Sequence, residues 1–210
     1  GYKGAELREL SKKAPIYTPN ASVQITDIGY IEPKRLSEWI DKEYPPIDWV
    51  IPNLIPQGLT VLGARFKSGK SWFQQQVGLY RGRKLFDVIP TDPGDTLYLA
   101  LEDSDARVAG RAKKQLHGLD VPDNFYYQLR IPKLDQGGID WLRRWLDKHS
   151  NKPLIIADTM HLLLRHSRNG IPSYEDDLEQ FRVVKEMIDE YRGAFIATLH
   201  TTKTTRDDPY

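Results

Sequence analysis

Gly69, Lys70 and Ser71 stand in a row in the stretch GARFKSGKSW, Gly63 to Trp72. A glycine that frees the backbone, a lysine that supplies a point charge and a serine hydroxyl form the end of the phosphate-binding pattern G-x-x-x-x-G-K-[ST]. Successive backbone N–H groups from Lys67 to Ser71 would wrap phosphates, and the start of a following helix adds positive potential. Lys70 would then sit on the β- and γ-phosphates, and the Ser71 hydroxyl would ligate Mg²⁺. The expected nucleotide-binding segment is therefore Ala64, Arg65, Phe66, Lys67, Ser68, Gly69, Lys70, Ser71 and Trp72. One position departs from the pattern: Ala64 stands where it has its first glycine. Alanine serves there if φ stays negative, because a positive φ is what penalises a Cβ.

Three other residues have types suited to the same chemistry. Asp158 closes the apolar run LIIAD, where a carboxylate can hold Mg²⁺ through water, opposite Ser71. An aspartate there also serves as a turn or cap residue. Hydrolysis needs a group that orients or deprotonates the attacking water. Thr159 follows Asp158, so that group must come from elsewhere. Glu102, in LALED, is the candidate and Asp103 the competitor; both could instead cap a helix beginning at Ser104. His200 ends AFIATLH and could report loss of the γ-phosphate to a mobile loop, with a surface or capping role as the plainer reading.

These residues need elements to position them, and the hydrophobic patterning supplies them. GLTVLGA, Gly58 to Ala64, reads as a buried strand, and a helix follows from near Gly69. Further strands are expected at Thr96 to Leu101, Asn124 to Ile131, Pro153 to Thr159 and Ala194 to His200. Helices are expected at Ser104 to His117, Asp140 to His149 and Tyr174 to Arg192; the second turns Trp141, Leu142, Trp145 and Leu146 inward. The alternation predicts an α/β fold with a mainly parallel central sheet and helices on both faces. Ligands of such sheets bind beyond the carboxyl ends of the strands, where the phosphate loop, Glu102, Asp158 and His200 all fall. Residues 1–45 read as an N-terminal arm or linker whose helix LSEWIDKEY places Leu36, Trp39 and Ile40 on one face, and 46–210 as the core.

Composition narrows the setting. With 30 basic and 29 acidic residues the chain is nearly neutral, so no global charge points to nucleic acid or membrane. It has no cysteine, which excludes disulfides and thiolate metal sites. No apolar run approaches membrane-spanning length, so a cytoplasmic protein without a membrane partner is expected. A start at Gly1 and a polar stop after a strand-like run suggest a piece of a longer chain.

From about residue 45 to 208 the chain resembles the RecA-like P-loop ATPases, in particular the RepA-type branch of plasmid and phage replication proteins. The resemblance rests on IDWVIPNLIPQGLTVLGARFKSGKSW, LYLALEDSDARVAGR, LIIADTMHLLL and FIATLHTTK. It implies ATP with Mg²⁺, Glu102 as catalytic glutamate, Asp158 on the metal side, and His200 and Lys203 in the family's histidine segment. It places Arg107 and Arg111 in an arginine-bearing helix without giving them a role. Leu199 and Thr159 replace a commoner histidine and proline, and the family's later strands, including the region that usually supplies an arginine finger, are absent from this sequence. The implied function is a hexameric DNA helicase or replication motor, a homo-oligomeric ring with single-stranded DNA in its channel. His161 to Ser173, carrying Arg165, His166 and Arg168, is the candidate channel loop. The alternatives are a non-helicase ATPase switch, recombination mediator or loader, a module that binds ATP without turnover, and a small-molecule kinase, against which the lack of an arginine-rich lid counts.

Overall fold

A computed structural model describes residues 33–44, 46–165 and 174–201. The chain divides into two units, 1–45 and 46–210. In the first, the expected helix over Leu36–Tyr44 is a single 3₁₀ turn, Leu36–Glu38. Nine residues are too few to sustain a helix by themselves, and the prolines that follow prevent extension. The local order comes from Trp39: the ammonium groups of Lys34 and Lys42 lie 4.2 and 3.6 Å from the centre of its ring.

The second unit runs β1 (Trp49–Ile51), β2 (Ile55–Pro56), β3 (Gly58–Ala64), α1 (Lys70–Leu79), β4 (Lys84–Leu85), β5 (Ile89–Pro90) and β6 (Thr96–Ala100). It continues with α2 (Asp105–Leu116), β7 (Phe125–Gln128), α3 (Gly138–Leu146), β8 (Leu154–Asp158), α4 (Tyr174–Glu190) and β9 (Ala194–His200). Five of these strands form one parallel sheet in the order β3-β9-β8-β6-β7. This is an α/β RecA-like P-loop NTPase fold. Two small antiparallel ribbons, β1–β2 and β4–β5, lie outside it.

Strand alternation divides the core into two layers. Tyr98, Leu154, Ile156, Ala194 and Ile196 join Val77, Leu79, Val108 and Leu116 on the α1–α2 face. Leu97, Leu99, Ile155, Ala157 and Phe195 join Leu142, Leu146, Val184 and Met187 on the α3–α4 face. β6 and β8 are buried at every position, as strands covered on both faces must be. β3 differs from the expectation. It is only half-buried, because β9 is its single neighbour among the described residues.

Candidate functional site

The period of two that builds the core also aims the site. In β8, residues 154 and 156 face α1, so Asp158 faces the same way; in β9, residues 194 and 196 put Thr198 and His200 on that side. The start of α1 follows β3 after a five-residue loop. Three strand ends and one helix N-terminus thus converge on a cleft of about 500 Å³. Phe66 through Trp72, with Glu102, Asp103, Arg107, Arg111, Asp158 and His200, line it.

The loop's backbone is set by two left-handed residues, Lys67 at φ 61° and Gly69 at φ 90°. A Cβ on Gly69 would meet no atom within 4 Å, so the glycine is required by its φ rather than by space. Ala64 is not among the residues of positive φ and ends β3 in register with His200, which removes the objection to alanine there. Gly69 caps α1, and the first-turn N–H groups have no intrahelical partner. The Lys70 ammonium is buried and donates to the carbonyls of Ala64 (3.1 Å) and Arg65 (3.2 Å). Buried hydrogen bonds from Gln74 to Thr198 and from Gln75 to the Val108 carbonyl (2.9 Å) fix α1 against β9 and α2.

Lys70 also donates to His200 Nδ1 at 3.0 Å. An ammonium only donates, so Nδ1 accepts, and the ring proton is on Nε2, 3.5 Å from Glu102 Oε1. The ring of Phe66 lies 5.8 Å from that of His200.

The carboxylates at the strand ends have different surroundings. Asp103 is 6% exposed at its side chain and is held by Arg107 (3.1 Å) and Arg111 (2.5 Å). Asp158 is buried and accepts from the Tyr98 hydroxyl at 2.9 Å. Tyr98 is fully buried, and burial, then the neighbouring Asp158, pushes its phenol far above the ordinary range. It therefore remains a protonated donor at neutral pH. Among the described residues Glu102, 44% exposed at its side chain, has neither kind of clamp. Ser104, not an acid, holds the N-cap position of α2, without a side-chain capping bond.

Among the described residues no three of His, Asp and Glu gather into a metal cluster. Ser71 and Asp158 in one cleft instead suit Mg²⁺, which takes few protein oxygens and fills its octahedron with phosphates and water. A family model described as an AAA domain matches residues 31–206. The chain belongs to this AAA domain family. It is therefore a P-loop ATPase domain that binds nucleotide, and the cleft is where its phosphate loop lies. No curated protein matches the chain.

The AAA domain brings the expected phosphate-loop residues, Glu102, Asp158 and His200 together at one cleft. Ala64 and Arg65 reach the cleft through the carbonyls that hold Lys70, and the rest line it. His166, Arg168 and Lys203 lie outside the described residues; the described part of the loop ends at Arg165, whose N–H donates to Gln180 at 2.7 Å. No helix of the described residues is long and apolar enough to cross a membrane. Sequence reasoning missed Tyr98. Its signal is a hydroxyl inside the apolar strand TLYLA, on the face that Asp158 shares.

Proposed function

We propose that this AAA domain hydrolyses ATP with Mg²⁺ as the core of a RepA-type ring-forming DNA motor, with copies of itself as neighbours and single-stranded DNA as polymer. The observation that carries the hydrolysis reading is the sorting of the acids. Asp103 and Asp158 are already engaged, whereas Glu102 faces the cleft beside His200. The ring and the DNA rest on the sequence resemblance and on the RecA-like strand order.

The chemistry follows from these positions. The β- and γ-phosphates lie on the N–H groups between Lys67 and Ser71, and Lys70 moves from the carbonyls of Ala64 and Arg65 to phosphate oxygens. Ser71 and Asp158 would hold Mg²⁺, which when bound would neutralise phosphate charge. Glu102 accepts a hydrogen bond from a water in line with the γ-phosphorus. As the new O–P bond forms, the bond to the bridging oxygen breaks, ADP leaves with that electron pair, and the water's proton passes to Glu102. His200, hydrogen-bonded to Lys70 and next to Glu102, loses the lysine when nucleotide binds, so strand β9 registers occupancy.

A switch, recombination mediator or loader is the second reading, favoured by a net charge of only +1. Turnover measured at low salt with and without single-stranded DNA separates the two, with Lys70→Ala as blank. The motor reading expects strong stimulation that weakens steeply as salt rises. Turnover indifferent to DNA would move the assignment to the switch.

A further inference from the structure

We propose that Tyr98 is a positioning residue for the magnesium-side carboxylate, aimed by Arg111; this rests on Asp158 holding Mg²⁺. Tyr98 is fully buried in β6 between Leu97 and Leu99, where phenylalanine would pack without the cost of burying a hydroxyl. The hydroxyl has two partners. It donates to Asp158 Oδ2 at 2.9 Å and accepts from Arg111 Nη2 at 3.2 Å. The direction is forced, since a guanidinium only donates and a carboxylate only accepts.

Arg111 is itself fixed. It bonds to Asp103 Oδ2 at 2.5 Å and, through Nε, to Gln75 Oε1 on α1. The line Gln75–Arg111–Tyr98–Asp158 therefore ties α1, α2, β6 and β8 to one carboxylate orientation. The Tyr98 bond at Oδ2 restrains rotation of the Asp158 carboxylate and favours Oδ1 as the oxygen offered to a cation. Partners that orient metal-binding side chains in this way act through geometry and ligand basicity.

The test compares ATP affinity in Mg²⁺ and in EDTA for the wild-type chain, Tyr98→Phe and Arg111→Lys. Tyr98→Phe keeps the ring and removes one oxygen. Arg111→Lys keeps a cation opposite Asp103 and removes the planar fork. The expected result is that the affinity of Tyr98→Phe in EDTA stays at the wild-type value, while in both variants the tightening by Mg²⁺ shrinks by roughly 10-fold or more. The Mg²⁺ concentration giving half-maximal turnover rises in parallel. A folded Tyr98→Phe or Arg111→Lys protein with wild-type Mg²⁺ tightening would overturn the proposal, and so would an equal loss in EDTA for Tyr98→Phe, which marks a merely structural role. Wild-type protein that binds ATP equally with and without Mg²⁺ would overturn the magnesium assignment itself.

Discussion

At the residue scale, the site separates acids held by close partners from Glu102, which has only the neighbouring His200 among the described residues. Asp103 neutralises two arginines, and Arg111 among them is buried. Removing one partner of a buried pair leaves an uncompensated charge, so Asp103→Asn is expected to lose roughly 3–5 kcal/mol of stability, read by denaturant unfolding. A loss under ~1 kcal/mol would show the pair to be solvated. Lys70 has a different fate. Among the described residues it is held by two loop carbonyls and an imidazole, all weaker partners than phosphate. Lys70→Ala should leave the fold intact and abolish nucleotide binding by titration calorimetry; wild-type affinity would remove the loop from the site.

At the scale of elements, α1 carries the loop and must sit close to the sheet. Gly78 shows how close: a Cβ there would come within 2.8 Å of Phe125 Cε2 and Thr96 Cγ2. Helix propensity favours alanine over glycine by about 1 kcal/mol, but overpacking costs about 1–3 kcal/mol. Gly78→Ala is therefore expected to destabilise the protein, seen as a lower Tm; a higher Tm would show that Phe125 yields. Much at this scale was legible in the chain order of apolar runs. Ala194–His200 is found at its expected bounds, and the Asp158 and Glu102 positions followed from strand ends facing the ligand side. The 3₁₀ turn at Leu36 was not legible, because periodicity cannot say whether a short helix finds the contacts that sustain it. The β1–β2 and β4–β5 ribbons were missed since two- and three-residue strands carry no pattern. The sorting of Glu102 from Asp103 depends on α2 bringing Arg107 and Arg111 back over the strand end, a tertiary fact without a local signature.

At the scale of the molecule, nucleotide should stabilise the core it bridges. A ligand at ~100 times its Kd adds about 2.7 kcal/mol, which for a chain of this size raises Tm by roughly 5–10 °C. Thermal melts with ATP and Mg²⁺ should show that rise in the wild-type chain and none in Lys70→Ala. An equal rise in both would place the ligand elsewhere. The central claim is that Glu102 orients the attacking water while Asp103 and Asp158 serve other ends. The most direct measurement is ATP affinity and single-turnover hydrolysis of Glu102→Gln beside the wild-type chain. Glu102→Gln is expected to bind ATP within about threefold of wild type and to hydrolyse it roughly 10²-fold or more slowly. Wild-type hydrolysis in Glu102→Gln would contradict that claim and return the role to another group.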